Sequence, residues 1–326
     1  MRSKKRYLLV SLGAYGINPL IPNGKEIANI LRTKTKNLKI ISTDKYMKDK
    51  KYLRYIKYIL DIARELSCKE KSIMIVHMNT PFAEILHRLQ AKKYIKILTW
   101  YSHVNISRSA TYILKRSNQI TTASTNVKSK YPKAILTHCI TLPSKDQIKK
   151  TSEGYISRDF NKLVFIGRFS TVKRIDRFIN LSISSYNLEL IKGCKLMAID
   201  HEEDVKNDVL NKLSRAKIPK EIYINKDVKS IYEILKNGDI LVNLSEELGL
   251  NKVMLEASSL GIPVLSNSKI YYNYFEDYKC LKINEPYREV EAIKALKNWQ
   301  KLTLSQKDHA NKLAINKSTS FSVNNY

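Results

Sequence analysis

Short apolar runs alternate with longer segments of helical periodicity along most of the chain. The apolar runs predict strands at Tyr7–Leu12, Leu38–Ser42, Ile73–His77, Ile95–Trp100, Gln119–Ala123, Ala134–Thr137, Leu163–Ile166, Leu188–Ile191, Ile222–Ile224, Ile240–Leu244 and Val264–Ser266. Strands separated by helix-length segments are typical of parallel sheets built from βαβ units. The pattern therefore predicts an α/β protein.

The alternation is interrupted once, by a polar stretch over residues 144–159. Each side of this break has its own series of strands and enough chain to bury its own core. We therefore predict two doubly wound, Rossmann-like domains, residues 1–150 and residues 151–326, that face each other across a cleft. The last residues could pack back on the first domain. Ligands of such sheets bind beyond the carboxyl ends of the strands, so residues that follow strands are the candidates for function.

A glycine turn with two cations follows one of the predicted strands. Gly167 and Arg168 come directly after the strand that ends at Ile166, and Lys173 lies near the predicted start of the next helix. A guanidinium group can bind two phosphate oxygens, a lysine adds a point charge, and a helix N-terminus favours an anion. The pattern predicts a diphosphate site. The alternative is that both cations are ordinary surface residues of a basic protein.

A short helix follows the strand Ile240–Leu244, after an acidic loop. Gly261 is placed to end this helix and Pro263 prevents its continuation. Glu256 lies near the helix start, where its carboxylate could accept two hydrogen bonds from the hydroxyl groups of a ribose. The alternative is an acid that only complements the helix dipole.

Together the two motifs resemble glycosyltransferase family 4, whose members are retaining enzymes of the GT-B fold. The motifs read Gly167-Arg-Phe-Ser-x-x-Lys173 and Ser245-Glu-Glu-x-Gly-Leu-Asn-Lys-Val-Met-Leu-Glu256-Ala-x-x-x-Gly-Ile-Pro-Val264. The resemblance implies metal-independent transfer of a sugar from a nucleoside-diphosphate-sugar, without a cofactor. It implies a glycan or lipid-linked acceptor, in the synthesis of a cell-surface polysaccharide or glycolipid.

The resemblance also implies roles for single residues. Arg168 and Lys173 would hold the donor diphosphate and stabilise it as it leaves, and Glu256 would bind the ribose. Backbone amides would approach the donor at Gly13, Gly167, Asn251, Lys252 and Val253. His103, after a predicted strand, would lie near the transferred sugar. An ordinary turn at Gly13 and a structural histidine at His103 are the alternatives.

The chain departs from the family at one position. The family usually has a first glutamate eight residues before the ribose-binding one, and Leu248 stands there. Glu247 and Glu246 precede it, so either the loop is shifted in register or the acid is absent. We keep Glu247 as the candidate catalytic acid.

The net charge of +28 is unevenly distributed. Residues 1–150 hold 31 Lys and Arg against 8 Asp and Glu, a net charge of +23, and the remainder carries +5. This asymmetry indicates an anionic partner for the first domain. No helix-turn-helix, RNA-binding or zinc motif is found, which disfavours nucleic acid. An alternative is a genome that favours lysine, although that explains the total charge better than its asymmetry.

The segment Lys45–Lys71 predicts a basic amphipathic helix. Its apolar face is Tyr52, Tyr55, Ile56, Ile59, Ile62, Ala63 and Leu66. Such a helix could lie on an anionic membrane surface, or it could pack on the core with a lysine-rich outer face.

Other sequence features bear on location and on competing functions. The basic N-terminus and first apolar run could be a signal peptide, but the glycines and proline that follow favour a strand and its loop. No run of about eighteen apolar residues predicts a membrane span. The four cysteines show no C-x-x-C spacing, which predicts no metal site and a cytoplasmic protein, peripheral to the membrane at most. A nucleotide-sugar epimerase on the same scaffold is the main alternative function.

Overall fold

The structure is a computed structural model. It describes residues 6–11, 24–42, 44–46, 51–77, 81–101, 106–122, 124–136, 143, 146, 148, 162–225, 231–236, 238–246 and 251–321. The chain forms two compact units, residues 1–139 and residues 140–325. The predicted boundary at residue 150 lies outside the described residues.

The first unit is built on a six-stranded parallel sheet. Its strands are β1 (Arg6–Ser11), β2 (Leu38–Ser42), β3 (Ser72–His77), β4 (Tyr94–Trp100), β5 (Gln119–Thr122) and β6 (Ile135–Leu136), in the order β2-β1-β3-β4-β5-β6. Its helices are α1 (Gly24–Lys34), α2 (Lys51–Ser67), α3 (Pro81–Gln90), α4 (Arg108–Arg116) and α5 (Thr125–Lys130). The register aligns Ser11 with Ser42 on one side and with His77 on the other, and His77 with Trp100, so these carboxyl ends share one edge.

The second unit has a five-stranded parallel sheet. Its strands are β7 (Leu163–Arg168), β8 (Cys194–Ile199), β9 (Lys220–Ile224), β10 (Ile240–Asn243) and β11 (Val264–Ser266), in the order β11-β10-β7-β8-β9. Its helices are α6 (Ile175–Asn187), α7 (Glu203–Arg215), α8 (Lys252–Ser259), α9 (Lys269–Tyr274), α10 (Glu289–Lys301) and α11 (Leu304–Ser318). Short 3-10 turns cover Thr171–Lys173, Ile231–Glu233, Glu276–Leu281 and Thr319–Phe321. One continuous apolar core lies on both sides of this sheet.

The predicted α/β class, with parallel Rossmann-like sheets, is confirmed, and one predicted strand is wrong. Leu188–Ile191 forms the turn after α6, and the strand lies at Cys194–Ile199. Lys195 interrupts the apolar run of this strand, and the hydrophobic pattern therefore did not predict it. The lysine is buried, and its Nζ donates to Asp239 Oδ2 at 2.5 Å and to Ile234 O at 3.2 Å. The other predicted strands lie within one or two residues of observed ones.

Helix α2 buries part of the apolar face predicted for it. Ile62 and Leu66 pack against the core of the first unit, whereas Ile56, Ile59 and Ala63 are exposed. Tyr58, Asp61 and Glu65 are buried, and the two acids are paired with basic residues of other segments. The helix therefore packs on the core, but its outer side is apolar as well as basic.

The buried ion pair of the second unit can be tested by a double-mutant cycle. Lys195→Met should lower the free energy of unfolding by about 3 kcal/mol or more, because Asp239 would be left in the core without its ion-pair partner. Adding Asp239→Leu should recover most of this loss. Urea unfolding followed by circular dichroism measures both, and Lys192→Met, at an exposed position, is the matched control. If the stability losses of the two single variants simply added in the double variant, the ion pair between Lys195 and Asp239 would be contradicted.

Candidate functional site

The glycine loop after β7 is held by backbone hydrogen bonds to the neighbouring strand end. Phe169 N donates to Ile199 O at 3.0 Å, and Glu202 N donates to Phe169 O at 2.9 Å. A Cβ atom at Gly167 would come within 3.0 Å of the Phe165 ring, so a larger residue would displace that ring. The buried Phe169 side chain anchors the loop in the core.

Glu202 orders the next turn of the loop. Its Oε1 accepts from Ser170 Oγ at 2.8 Å, and its Oε2 accepts from the backbone N–H of Thr171 at 3.0 Å. The Thr171 backbone N–H, followed by the Ser170 hydroxyl, lowers the pKa of the Glu202 carboxyl. Because hydrogen bonds favour the charged form, the carboxylate stays ionised and holds the turn Thr171–Lys173 in place.

Arg174 joins the loop to helix α6 and to the loop after β10. It adopts a left-handed conformation with φ of 48°. Its Nε and Nη2 donate to the two oxygens of Asp176 at 3.0 and 2.8 Å, and its Nη1 donates to Glu246 at 3.0 Å. The hydrogen bond with Asp176 is the main cause of a raised pKa of Arg174. This bidentate geometry fixes the guanidinium group firmly.

Arg168 contrasts with Arg174. It is half-buried at the end of β7, and its side chain makes no hydrogen bond or ion pair with any residue that the structure describes. Lys173 is also half-buried and ends the turn that Glu202 orders. Arg174 is thus hydrogen-bonded to two protein carboxylates, whereas the guanidinium group of Arg168 has no partner among the described residues.

The two predicted motifs meet in the structure. Glu246 N donates to Val172 O at 3.0 Å, which joins the loop after β10 to the glycine loop after β7. Asn251 Nδ2 donates to Asn243 Oδ1 at 3.3 Å, across the span between β10 and α8. Arg174 Nη1 also donates to one oxygen of the Glu246 carboxylate.

Helix α8 begins at Lys252, one residue before the predicted start at Val253. Asn251 is its N-cap and makes no side-chain capping hydrogen bond, and its backbone oxygen accepts from Met254 N at 3.1 Å. Glu256 lies on the second turn, 13% exposed, with an oxygen 3.6 Å from Lys252 Nζ. Gly261, with φ of 73°, ends the helix by donating to Ser258 O at 2.9 Å.

Tyr232 lies close to Glu256, and the sequence did not indicate it. Burial raises the pKa of its phenol, and the charge of Glu256 raises it further. Tyr232 is separated from α8 by a strand and a loop in the chain, so local patterning carries no signal for the pair. Glu202 was missed for the same reason, because it bonds Ser170 and Thr171 from a different loop. Arg174 and Asp176 lie only two residues apart, but the contact of Arg174 with Glu246 joins different loops.

The remaining predicted residues divide into two groups. Gly13, His103 and Glu247 lie outside the described residues. Within the described part of the chain, no group of three His, Cys, Asp or Glu residues is arranged to hold a metal ion. No described helix is long and apolar enough to cross a membrane.

A cavity of about 510 Å³ adjoins the glycine loop. Its lining includes Ser170, Thr171 and Arg174, together with Asp176, Asp204, Asp208 and Glu246, but none of the predicted donor residues. Four carboxylates and a single arginine would repel a diphosphate. The lining of this cavity therefore does not suit a diphosphate.

Comparisons with known proteins agree with this architecture. No family model and no curated protein sequence matches the chain. Among solved structures, that of trehalose-6-phosphate from E. coli bound with UDP-2-fluoro glucose aligns with a TM-score of 0.67 and 12% identity, over 98% of this chain and 96% of that one. The chain has the GT-B fold.

Two further structures with this fold give similar alignments. The N-terminal domain of Candida albicans trehalose-6-phosphate phosphatase has a TM-score of 0.62 and 13% identity, over 100% of this chain and 95% of its own. WaaG, a glycosyltransferase involved in lipopolysaccharide biosynthesis, has a TM-score of 0.61 and 12% identity, over 96% and 95%. At these identities the likeness establishes the GT-B fold, and membership of glycosyltransferase family 4 stays a prediction.

The contrast between the two arginines predicts different effects on stability. Arg174→Gln should lower the free energy of unfolding by about 1 kcal/mol, as for a partly exposed ion-pair network. Arg168→Gln should change it by less than about 0.5 kcal/mol. Urea unfolding of both variants measures the difference. Equal losses of stability in the two variants would show that Arg168, like Arg174, forms stabilising contacts within the protein.

Proposed function

We propose that the chain is a retaining glycosyltransferase that takes its sugar from a nucleoside-diphosphate donor bound at the second unit. The observation that carries this proposal is the joined pair of loops at the end of β7 and β10. They bring to one edge of the sheet an arginine, Arg168, that has no partner among the described residues, together with Lys173 and the N-terminus of α8. Helix N-termini and convergent cations are the usual partners of phosphate groups.

The diphosphate is assigned to Arg168 and Lys173. Glu202 and Arg174 order the loop that carries both cations, so little conformational entropy is lost when a ligand binds. In the transfer step the leaving diphosphate gains negative charge as the bond to the sugar breaks. Preorganised cations stabilise that charge in the transition state more than in the ground state.

The ribose is assigned to Glu256, and the amides at the start of α8 to the sugar and phosphate. The side chain of Glu256 is largely shielded, so its hydrogen bonds to two hydroxyl groups would compete little with water. Gly167 and the segment Asn251–Val253 would approach the donor through backbone atoms. Gly13, His103 and Glu247 keep the roles that the family resemblance implies for them.

The solved structures that share this fold support the same chemistry. One was solved with UDP-2-fluoro glucose, one is of a glycosyltransferase of lipopolysaccharide biosynthesis, and another concerns glycosyltransfer with retention by trehalose-6-phosphate synthase. We infer that the acceptor is a glycan or a lipid-linked saccharide of a cell-surface polysaccharide or glycolipid. Its hydroxyl would attack on the face from which the diphosphate leaves, in the cytoplasm and without a metal ion.

Removal of either proposed phosphate-binding cation should weaken donor binding without unfolding the protein. Arg168→Gln and Lys173→Gln should each weaken binding of a nucleoside diphosphate by about tenfold or more, the usual effect of losing a charged hydrogen bond. Calorimetry with UDP, GDP and ADP identifies the nucleotide in the wild type and measures the loss in the variants.

Arg215→Gln is the matched control, because it removes the same charge from the exposed end of α7. If the wild type binds none of the three nucleotides, or both loop variants bind like the control, the donor assignment is wrong. Sugar transfer that requires an acceptor and retains anomeric configuration separates the proposed reaction from epimerisation.

The ribose contact has its own test. Wild-type protein should prefer the ribonucleotide over its 2′-deoxy form by about tenfold, and Glu256→Ala should lose that preference, because alanine has no carboxylate to accept a hydrogen bond from the 2′-hydroxyl group. Competition binding with the two nucleotides measures the ratio, and Glu276→Ala, at an exposed position, serves as control. An unchanged ratio in Glu256→Ala would remove Glu256 from the ribose site.

A further inference from the structure

The outer face of α2 is apolar although it is exposed. Ile56 is 51% exposed, Ile59 64% and Leu60 48%, and Leu53 and Ala63 are also exposed. Their spacing of three, four and seven residues places them on one side of the helix. This side points away from the sheet, because the opposite side buries Tyr58 at 6% exposure.

Helix α3 extends this surface. The rings of Tyr58 and Phe82 lie 5.6 Å apart, and Gln90 Nε2 donates to Leu66 O, so α3 runs alongside α2 in the same direction. Ile85 and Leu89 follow Phe82 by three and seven residues, which places them on the side of α3 that faces α2. They are 42% and 64% exposed. We name the α2–α3 apolar surface after its members: Leu53, Ile56, Ile59, Leu60, Ala63, Ile85 and Leu89.

The two acids of α2 are turned away from this surface. Asp61 is bound by Lys45 at 2.8 Å and lies 3.6 Å from Lys39. Glu65 Oε1 accepts from Lys93 Nζ at 2.6 Å, and its Oε2 accepts from Arg6 Nη2 at 2.5 Å. Burial opposes ionisation of Glu65, but these partners lower its pKa. The helix therefore presents no carboxylate to solvent on its outer side.

Cations border the α2–α3 apolar surface instead. Arg64 follows Leu60 by one turn and is exposed, and Lys57 follows Leu53 by one turn and is partly exposed. Lys92 lies just beyond the end of α3 and is exposed. On α3, Glu84 is paired with Arg88 at 2.8 Å. The surface is thus apolar at its centre, basic at its border, and part of a segment, residues 1–150, with a net charge of +23.

We propose that α2 and α3 dock the first unit on an anionic lipid bilayer. The α2–α3 apolar surface would enter the boundary between headgroups and acyl chains, and Lys57, Arg64 and Lys92 would face the lipid phosphates. The proposal goes beyond donor binding and does not depend on it. It would bring the enzyme to the surface that holds a lipid-linked acceptor.

Charge favours a bilayer over other occupants of this surface. A second copy of the chain would bring two strongly basic units together at a symmetric interface, and they would repel each other. Nucleic acid would satisfy the cations, but its phosphate backbone offers nothing to a row of exposed isoleucine and leucine side chains. An anionic bilayer complements both the apolar centre and the basic border.

Vesicle flotation with the full chain tests the proposal. The protein should float with phosphatidylcholine vesicles that contain phosphatidylglycerol, less with phosphatidylcholine alone, and less as salt increases. The double variant Ile56→Gln/Ile59→Gln should bind the anionic vesicles about tenfold more weakly, because two exposed apolar side chains no longer enter the bilayer. Arg64→Gln should weaken binding several-fold at low salt.

The matched control is Leu188→Gln/Val290→Gln, which removes two exposed apolar side chains from the second unit and should bind like the wild type. The proposal would be overturned if the wild-type protein did not bind anionic vesicles. It would also be overturned if Ile56→Gln/Ile59→Gln floated to the same extent as the control variant. A wild-type dimer that dissociates only in the double variant would overturn it as well, as would binding to DNA or RNA without binding to vesicles. The affinity of the same variants for nucleotides, measured by calorimetry, should equal that of the wild type. A failure of the donor assignment is therefore distinguishable from a failure of the membrane proposal.

Discussion

The hydrogen bonds of Arg174 are the interaction on which the candidate donor site depends. Its guanidinium group binds Asp176 at the start of α6 and Glu246 in the loop after β10. Together with the backbone contact from Glu246 to Val172, it holds two distant chain segments at one edge of the sheet. Arg168, by contrast, makes no hydrogen bond or ion pair with any residue that the structure describes.

The first unit distributes charge in the opposite way. There, cations from β1, the segment after β2 and the segment before β4 pair with the acids of α2 on its inner side. Apolar side chains of α2 then remain on the outside, where they cost free energy unless something covers them. The proposed donor site in the second unit and the proposed docking surface in the first would suit an enzyme that joins a water-soluble donor to a membrane-bound acceptor.

Much of the fold follows from short apolar runs, because a parallel strand buried on both faces needs uninterrupted hydrophobic residues. Strand β8 is an exception, because it contains the buried Lys195, which forms an ion pair with Asp239, a residue far along the chain. The loops after β7 and β10 were found from local spacing of glycine, cations and an acid. Glu202 and Tyr232 were not, since they reach the site from loops that pattern alone does not bring near.

The sequence by itself determined the α/β class, the parallel strands and the residue types available for diphosphate and ribose recognition. Only the tertiary structure decided that Arg174 binds Glu246 while Arg168 has no partner among the described residues, and which face of α2 is buried. Periodicity records whether a side chain is apolar, but burial of a charged residue depends on a partner of opposite charge. That partner is supplied by folding, at a separation that no local pattern contains.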